Sequence, residues 1–355
     1  MSPLPTTQPP EILSVVAAAV NARISSLLDA ESARWSAIDP DLALPIEALS
    51  KLVLSGGKRL RPAFCQLAYL GAGGDPENPL LVDVGAGLEL LHTFALVHDD
   101  IMDDSTTRRG MSAVHVQFGD HHTAMGWNNE ARRFGEGVAI LVGDLAFVYA
   151  DMLLRNVNSA ATTIFNELRI EVNIGQYLDL LGTARGKPSL ALASRICQYK
   201  SGKYTIERPL HLGAALADRL PEYERSLTAY GLPLGEAFQL RDDLLGSLGD
   251  SDILGKPVGD DLREGKPTAL IAHAFERATS SQHTVLDRIG HPGLTPADIT
   301  QIQRVLIDTG AVRQVEEDIN RLRERAIAAI TESSLSCPVV DELVALAHFV
   351  TDRRT

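Results

Sequence analysis

Two aspartate-rich stretches, each closing an apolar helical run, constrain this chain more than any other feature. The first is His98-Asp99-Asp100-Ile101-Met102-Asp103-Asp104-Ser105-Thr106-Thr107-Arg108-Arg109-Gly110, in which four carboxylates fall within six residues. Just upstream, residues 83–97 contain no proline and only two glycines. Apolar residues recur there at three- and four-residue spacing, so the segment reads as one buried helix. Its C-terminal end carries the excess negative charge of the helix dipole and is a poor place for acids. Asp99 and Asp103 stand one turn apart on one face. At about 5 Å and an effective dielectric near 20, their charges repel by roughly 3 kcal/mol. Taken alone, the stretch is either a solvated acidic helix end or a place where a divalent cation offsets that repulsion. The second stretch, Phe238-Gln239-Leu240-Arg241-Asp242-Asp243-Leu244-Leu245-Gly246, puts another aspartate pair near the end of another apolar helix. Two such ends facing each other would form a cage of hard oxygen ligands suited to magnesium, which favours carboxylates together with substrate phosphates.

Composition narrows the fold class. Ala and Leu dominate, aromatic content is 5% and alternating β-branched runs are absent, which favours helix over sheet. The net charge of −13 and a pI near 5.2 argue against a nucleic-acid partner, because phosphate neutralisation needs a basic face. They leave room for a diphosphate ligand held in one locally positive pocket. Cys65, Cys197 and Cys337 are odd in number, widely spaced and match no zinc pattern, pointing to a reducing compartment. Residues 1–10 read as a disordered tail with no export signal. The best membrane-span candidate, 137–149, is short and broken by Asp144. The expectation is a cytoplasmic protein, not integral to a membrane, with one all-α domain over 11–355.

Taken in order, helical periodicity covers about 11–38 and 41–55. Gly56-Gly57-Lys58-Arg59-Leu60-Arg61-Pro62 follows, with three cations in four residues. It reads either as an exposed basic turn or as an anion cradle, and it lacks the spacing of a nucleotide P-loop. His92, Asp99 and Asp103 share one face of the central helix. Residues 105–135 are polar, glycine-rich and long for a connection, which suggests a mobile lid whose extended part is 119–135. Helices resume over about 136–156, 159–181, 190–199 and 205–217, with a kink expected at Lys200-Ser201-Gly202-Lys203. After the second aspartate helix (222–248), the loop 249–267 carries Lys256 and Lys266 in Gly-Lys pairs and is placed to close over a bound anion. Amphipathic helices near 269–279, 295–308, 312–331 and 339–351 complete the chain.

The GGKRLRP stretch, DDIMD followed by RRG, the Lys-Ser-Gly step, FQLRDD and the late GK pairs occur in an order that resembles the trans-isoprenyl diphosphate synthase (polyprenyl synthetase) family over about 50–270. That resemblance implies a bundle of long helices around a central cavity and a homodimer. It implies condensation of isopentenyl diphosphate with an allylic diphosphate, and magnesium as cofactor, about three ions with substrate bound. It also implies roles for residues. Asp99, Asp103 and Asp242 ligate magnesium, and Asp100 and Asp243 support them through water or the outer shell. Arg108, Lys200 and Lys256 hold the allylic diphosphate, with Lys266 nearby. Lys58, Arg61, His92 and Arg109 hold isopentenyl diphosphate, and Gln239 and Ser201 face the allylic cation. No protein general base is implied, since the last proton leaves to the released diphosphate.

Three departures from the family pattern stand out. Gly246 replaces the third aspartate of the second motif, Ser112 stands where proline often follows RRG, and 119–135 is long. Phe94 and Ala95, five and four residues before Asp99, resemble the geranylgeranyl (C20) pattern, with farnesyl or longer products as alternatives. Ala95 projects near the Asp99 face one turn deeper, where a small side chain leaves space for a growing tail. The role of Phe94 as a floor rests on the resemblance. A terpene cyclase would share the fold but would not need the cations at Lys58, Arg61 and His92. A non-catalytic partner subunit would be expected to lose an aspartate motif.

Overall fold

The computed structural model describes residues 8–186, 189–249 and 259–353. Helices dominate it, as composition leads one to expect. They are α1 (Glu11–Ser36), α2 (Leu44–Leu54), α3 (Leu60–Gly71), α4 (Leu80–Met102), α5 (Val114–Ala124) and α6 (Ala131–Leu153). Next come α7 (Ser159–Arg185), α8 (Leu190–Ile196), a π-helix at Cys197–Glu207, α9 (Arg208–Leu216) and α10 (Leu220–Leu248). The chain finishes with α11 (Asp260–Glu264), α12 (Ala269–Arg277), α13 (Ser280–Leu286), α14 (Pro296–Asp308), α15 (Ala311–Thr331) and α16 (Cys337–Asp352). One hairpin, β1 (Thr107–Arg108) with β2 (Met111–Ser112), is the only sheet among the described residues. Most of the expected tail lies outside the described residues; Gln8, Pro9 and Pro10 lead into α1. All three cysteines are free thiols.

The chain divides into two compact units, one of residues 11–66 and 74–162, the other containing 67–73 and 163–353. In the first, α4 packs against α1, α2 and α6. Val84, Leu88, Leu90, Leu91 and Val97 of α4 are all buried, each contributing about 1.5–3 kcal/mol. The two glycines of this helix have a packing reason. A methyl group at Gly85 would crowd Val20 and Pro62, and one at Gly87 would overlap Leu154. By length and composition, α1 and α4 could each cross a membrane, a property the sequence reading did not find. In α4, 56% of the most apolar stretch is buried, so its hydrophobicity serves the interior of the unit. In α1 the apolar residues form a buried stripe of Leu13, Val16, Val20, Ile24 and Leu28.

The expected lid over 105–135 is corrected. It folds into the hairpin, α5, a short turn and the start of α6. A methyl group at Gly135 would overlap the His115 carbonyl, and one at Gly119 would lie 3.4 Å from the Ala131 carbonyl oxygen. Glycines that suggest flexibility in the sequence therefore mark the close crossing of two helices. Trp127 seals the turn, packing edge-on against His121, His122 and Phe134.

In the second unit, α10 is the spine and packs against the π-helix, α9, α15 and α16. Ala237, Leu240 and Leu244 of α10 join Leu270, Ile302, Leu306, Val315 and Ile319 in one core. Arg241, inside the second aspartate motif, is structural. It forks onto Glu316 at 2.6 and 2.7 Å and donates to the Thr351 carbonyl at 2.6 Å, tying α10 to α15 and α16. The expected kink at 200–203 is the middle of the π-helix, whose wide turn is accommodated by glycines. A methyl at Gly175 would overlap the Lys200 backbone, and one at Gly235 would overlap Gly202.

Candidate active site

In the first unit, α4 delivers Asp99, Asp100 and Asp103 at its C-terminal end, with Asp103 as the capping residue. Asp104 then adopts a left-handed φ of 54°, and the Ser105 amide donates to the Asp100 carbonyl at 2.9 Å. This reversal leads into the hairpin, whose two-residue turn is Arg109-Gly110. Both turn residues have positive φ, 54° and 72°, as a twisted two-residue hairpin demands. The RRG signature is thus a turn that returns Arg108 to the acids. Arg108 Nε donates to Asp100 Oδ1 at 2.8 Å, its Nη2 reaches the same oxygen, and Asp99 Oδ2 lies 3.7 Å from it. Burial alone would make the guanidinium easier to deprotonate, but Asp100, Asp99 and Asp103 outweigh it and raise its pKa.

Arg109 turns to the Leu52 carbonyl at 3.0 Å. Gly56 and Gly57, at φ 131° and 124°, carry the chain past it. A side chain at Gly57 would sit 3.1 Å from the Arg109 guanidinium and 3.2 Å from that of Arg59. Arg59 itself is a buried strut, bonded to Glu89 at 2.6 Å, Asn21 at 2.7 and 3.0 Å and the Val53 carbonyl at 2.6 Å. His92 lies within electrostatic reach of Arg61, Arg109, Arg108 and Arg59. Burial, then those four cations, hold its imidazole well below the usual range, so it is neutral. The structure therefore gathers Arg61, His92, Arg108 and Arg109 into one cationic group, with Lys58 on the adjoining loop. Phe94 packs edge-on against Phe147 of α6 (5.0 Å) and His98 (4.7 Å), and Ala95 is partly buried beside it.

In the second unit, Asp243 is 5% exposed. It accepts a 2.6 Å hydrogen bond from Gln239 Nε2, and Gln239 in turn accepts from the Ser201 hydroxyl. Burial, then Asp261, Asp242 and Asp179, push the Asp243 carboxyl well above the usual carboxylate range despite the Gln239 hydrogen bond. Lys200 Nζ donates to Asp179 Oδ2 at 2.5 Å, while Lys203 and Arg208 share Glu171. Burial alone would raise the Glu171 pKa, but those two cations outweigh it and lower it. Lys266 Nζ lies 2.7 Å from Glu264 and 3.8 Å from Asp261. Lys256 lies outside the described residues.

Three residues here escaped the sequence reading. Asp261 resolves the departure at Gly246, because its carboxylate fills the space that a Cβ at 246 would occupy. Asp179 had a local signal, a single acid inside the apolar run Tyr177–Leu181, and it is buried. Arg353 had none: it pairs with Asp242 from 111 residues away.

The chemistry available differs by unit: in the first, carboxylates at the end of α4 offer hard oxygens to a cation and the group around His92 offers positive charge to an anion, and in the second, the carboxylates near the end of α10 offer hard oxygens of their own. Among the described residues, no three His, Cys, Asp or Glu side chains converge tightly enough to enclose an ion unaided. A divalent cation at either set of carboxylates would need oxygens from its ligand as well, which suits magnesium.

A sequence profile of the polyprenyl synthetase family matches residues 44–306. The chain is 32% identical over 284 residues to a geranylfarnesyl diphosphate synthase of Aeropyrum pernix, covering 78% of this chain and 83% of that protein. It is 30% identical over 351 residues to a geranylgeranyl diphosphate synthase of Methanosarcina mazei, covering 93% and 99%. Among solved structures, it matches a geranylgeranyl pyrophosphate synthase of Corynebacterium glutamicum, complexed with isoprenyl diphosphate and magnesium. That match has a TM-score of 0.91 and 36% identity, and covers 99% of this chain and 100% of the other.

Proposed function

The chain belongs to the polyprenyl synthetase family, and on that premise we propose that it condenses isopentenyl diphosphate head-to-tail with an allylic diphosphate, using magnesium, to give geranylgeranyl diphosphate. The observation that carries this reading is electrostatic: acids at the end of α4 lie beside cations gathered around a neutral His92, and a second set of crowded acids lies near the end of α10. The donor set fits the metal. Asp243 is raised by burial and by neighbouring acids, and a site of crowded like charge is stabilised by a bound cation.

In this reading Asp99 and Asp103 ligate at the first motif and Asp242 at the second. Magnesium, when bound, neutralises the leaving diphosphate as the allylic carbon–oxygen bond ionises. Arg108 locks Asp100 in place and lends positive charge to the allylic diphosphate, together with Lys200, Lys256 and Lys266. Lys58, Arg61 and Arg109 hold the second diphosphate, and neutral His92 adds a ring nitrogen without adding charge. The chain of hydrogen bonds Ser201–Gln239–Asp243 fixes the Gln239 amide, whose dipole faces the allylic cation. The leaving diphosphate takes the final proton.

Ala95, one turn deeper than Asp99, leaves room for the growing chain, and Phe94, backed by Phe147, closes it. The all-α chain works in the cytoplasm, with no nucleic-acid partner. Homodimerisation is supported by exposed apolar residues, Ile140, Leu141, Val148 and Met152 on α6 and Ile170, Ile174 and Tyr177 on α7.

The test is incubation of purified protein with magnesium, isopentenyl diphosphate and, separately, C5, C10 and C15 allylic primers, followed by chain-length analysis. A C20 product is expected, and Phe94→Ala should shift it to longer chains. A C15 or longer endpoint in the unaltered protein would overturn the length assignment while keeping the reaction. No consumption of isopentenyl diphosphate would overturn the reaction itself and favour a cyclase or a partner subunit.

A further inference from the structure

We infer that Arg353, just after α16, is a positioning residue for Asp242: it grips one carboxylate oxygen and leaves the other for the metal. The inference rests on the proposed role of Asp242 as a ligand. Arg353 follows α16 directly, and its side chain is 10% exposed. Its Nη2 donates to Asp242 Oδ1 and, at 3.4 Å, to the Phe238 carbonyl. Its Nε donates to the Val350 carbonyl at 3.1 Å, and its guanidinium lies 4.2 Å from the centre of the Phe238 ring. Phe238 and Asp242 are one turn apart on α10, so the guanidinium stacks on one while its Nη2 donates to the other. Ordering an arginine side chain costs rotamer entropy. Two carbonyls, an aromatic face and a carboxylate offset that cost here.

The base of this contact is rigid. α16 is tied to α10 by Tyr230, whose hydroxyl donates to the Leu343 carbonyl at 2.7 Å, and by Arg241 on the Thr351 carbonyl at 2.6 Å. Arg323 of α15 holds Asp352 at 2.5 Å. The cation is therefore delivered from a fixed helix end. Asp243, next to Asp242 along the helix, carries like charge and repels it. Magnesium tolerates little departure from octahedral geometry, so a carboxylate that is held still binds it better than one free to rotate. Arginine can do this through one oxygen because its planar guanidinium is already held by the Val350 and Phe238 carbonyls and the Phe238 ring, which fixes direction as well as distance.

The test uses the full chain and Arg353→Gln and Arg353→Lys. Mn2+ is titrated in the presence of inorganic pyrophosphate, and free Mn2+ is followed by its EPR signal. Arg353→Gln is expected to bind Mn2+ about tenfold more weakly, the scale seen when an outer-shell partner of a ligand is lost. Arg353→Lys should recover part of the affinity, since an ammonium can donate to Oδ1 without the planar guanidinium. The KM for isopentenyl diphosphate at saturating Mg2+ should stay unchanged, which separates positioning of Asp242 from direct contact with substrate. Mn2+ binding in Arg353→Gln equal to or tighter than that of the unaltered protein would overturn the inference. So would a raised KM with normal Mn2+ binding. If the unaltered protein also bound no Mn2+, the proposed function would fall with it; if only the variants matched the unaltered protein, this inference alone would fall. Should Arg353→Gln not fold, the Lys variant decides by the same readout.

Discussion

Asp100 and Asp243 are the second aspartates of two similar motifs, and both are buried, at 1% and 5% exposure. Their settings are opposite. Asp100 receives both arms of Arg108, a guanidinium that the nearby acids hold firmly protonated. Asp243 receives an amide hydrogen bond from Gln239 and is surrounded by Asp261, Asp242 and Asp179. A short motif specifies which donors are present, but the charges brought to it by other segments decide what those donors can do. Arg108 neutralises the α4 motif in part at Asp100. In the α10 motif Asp243 is crowded by like charge, which favours its neutral form and which a bound cation would relieve.

The largest effect should come from Asp99, the partly buried carboxylate proposed as a ligand in the first motif. Asp99→Ala is expected to lower kcat by at least about a thousandfold while far-UV circular dichroism keeps its helical signal. Near-normal turnover would remove the first motif from the metal site. Next, Arg108→Ala strands a buried carboxylate and should cost about 3–5 kcal/mol in urea denaturation. Gln239→Ala removes a neutral hydrogen bond and should cost only about 1 kcal/mol. Equal losses would erase the contrast between the two settings.

A third effect depends on pH. Burial and four arginines hold His92 below its usual range in the folded state, whereas the unfolded chain protonates it near pH 6.5. The unfolded state then binds the extra proton, so stability is untouched above pH 6.5 and falls below it, by up to about 1.4 kcal/mol per pH unit. His92→Gln should lack that share of the acid loss in denaturation series between pH 7 and 5. An unchanged slope would place the imidazole outside the cationic group. The smallest effect should be that of Gly246→Asp. Restoring the third aspartate of the family pattern must displace the Asp261 carboxylate, so Mn2+ affinity should change by less than about threefold. A large gain would mean that the two carboxylates are not alternatives.

Much of this was legible in residue order. The periodicity of α1, α6, α7, α10 and the C-terminal helices follows from apolar spacing that a 3.6-residue turn converts into a buried stripe. The acidic helix ends were legible because Asp99, Asp103 and the pair Asp242-Asp243 are local clusters. Glycine was harder to read. Gly56, Gly57 and Gly110 adopt positive φ as turns require, while Gly119, Gly135 and Gly175 lie in helices where another backbone passes close. The same residue type serves both purposes, and only the neighbouring element distinguishes them; the expectation of a lid failed for that reason.

What the sequence determined alone was the helical class, the two sites of concentrated acid and the cations available to oppose them, because each depends on residues within a few turns of one another. The tertiary structure decided the pairings. Arg59 became a buried strut while its neighbour Arg61 joined the group around His92. Asp261 took the space left at Gly246, and Arg353 crossed 111 residues to reach Asp242. Coulombic and hydrogen-bond energies depend on distance in space, and for partners so far apart along the chain that distance is set by the packing of α10, α15 and α16.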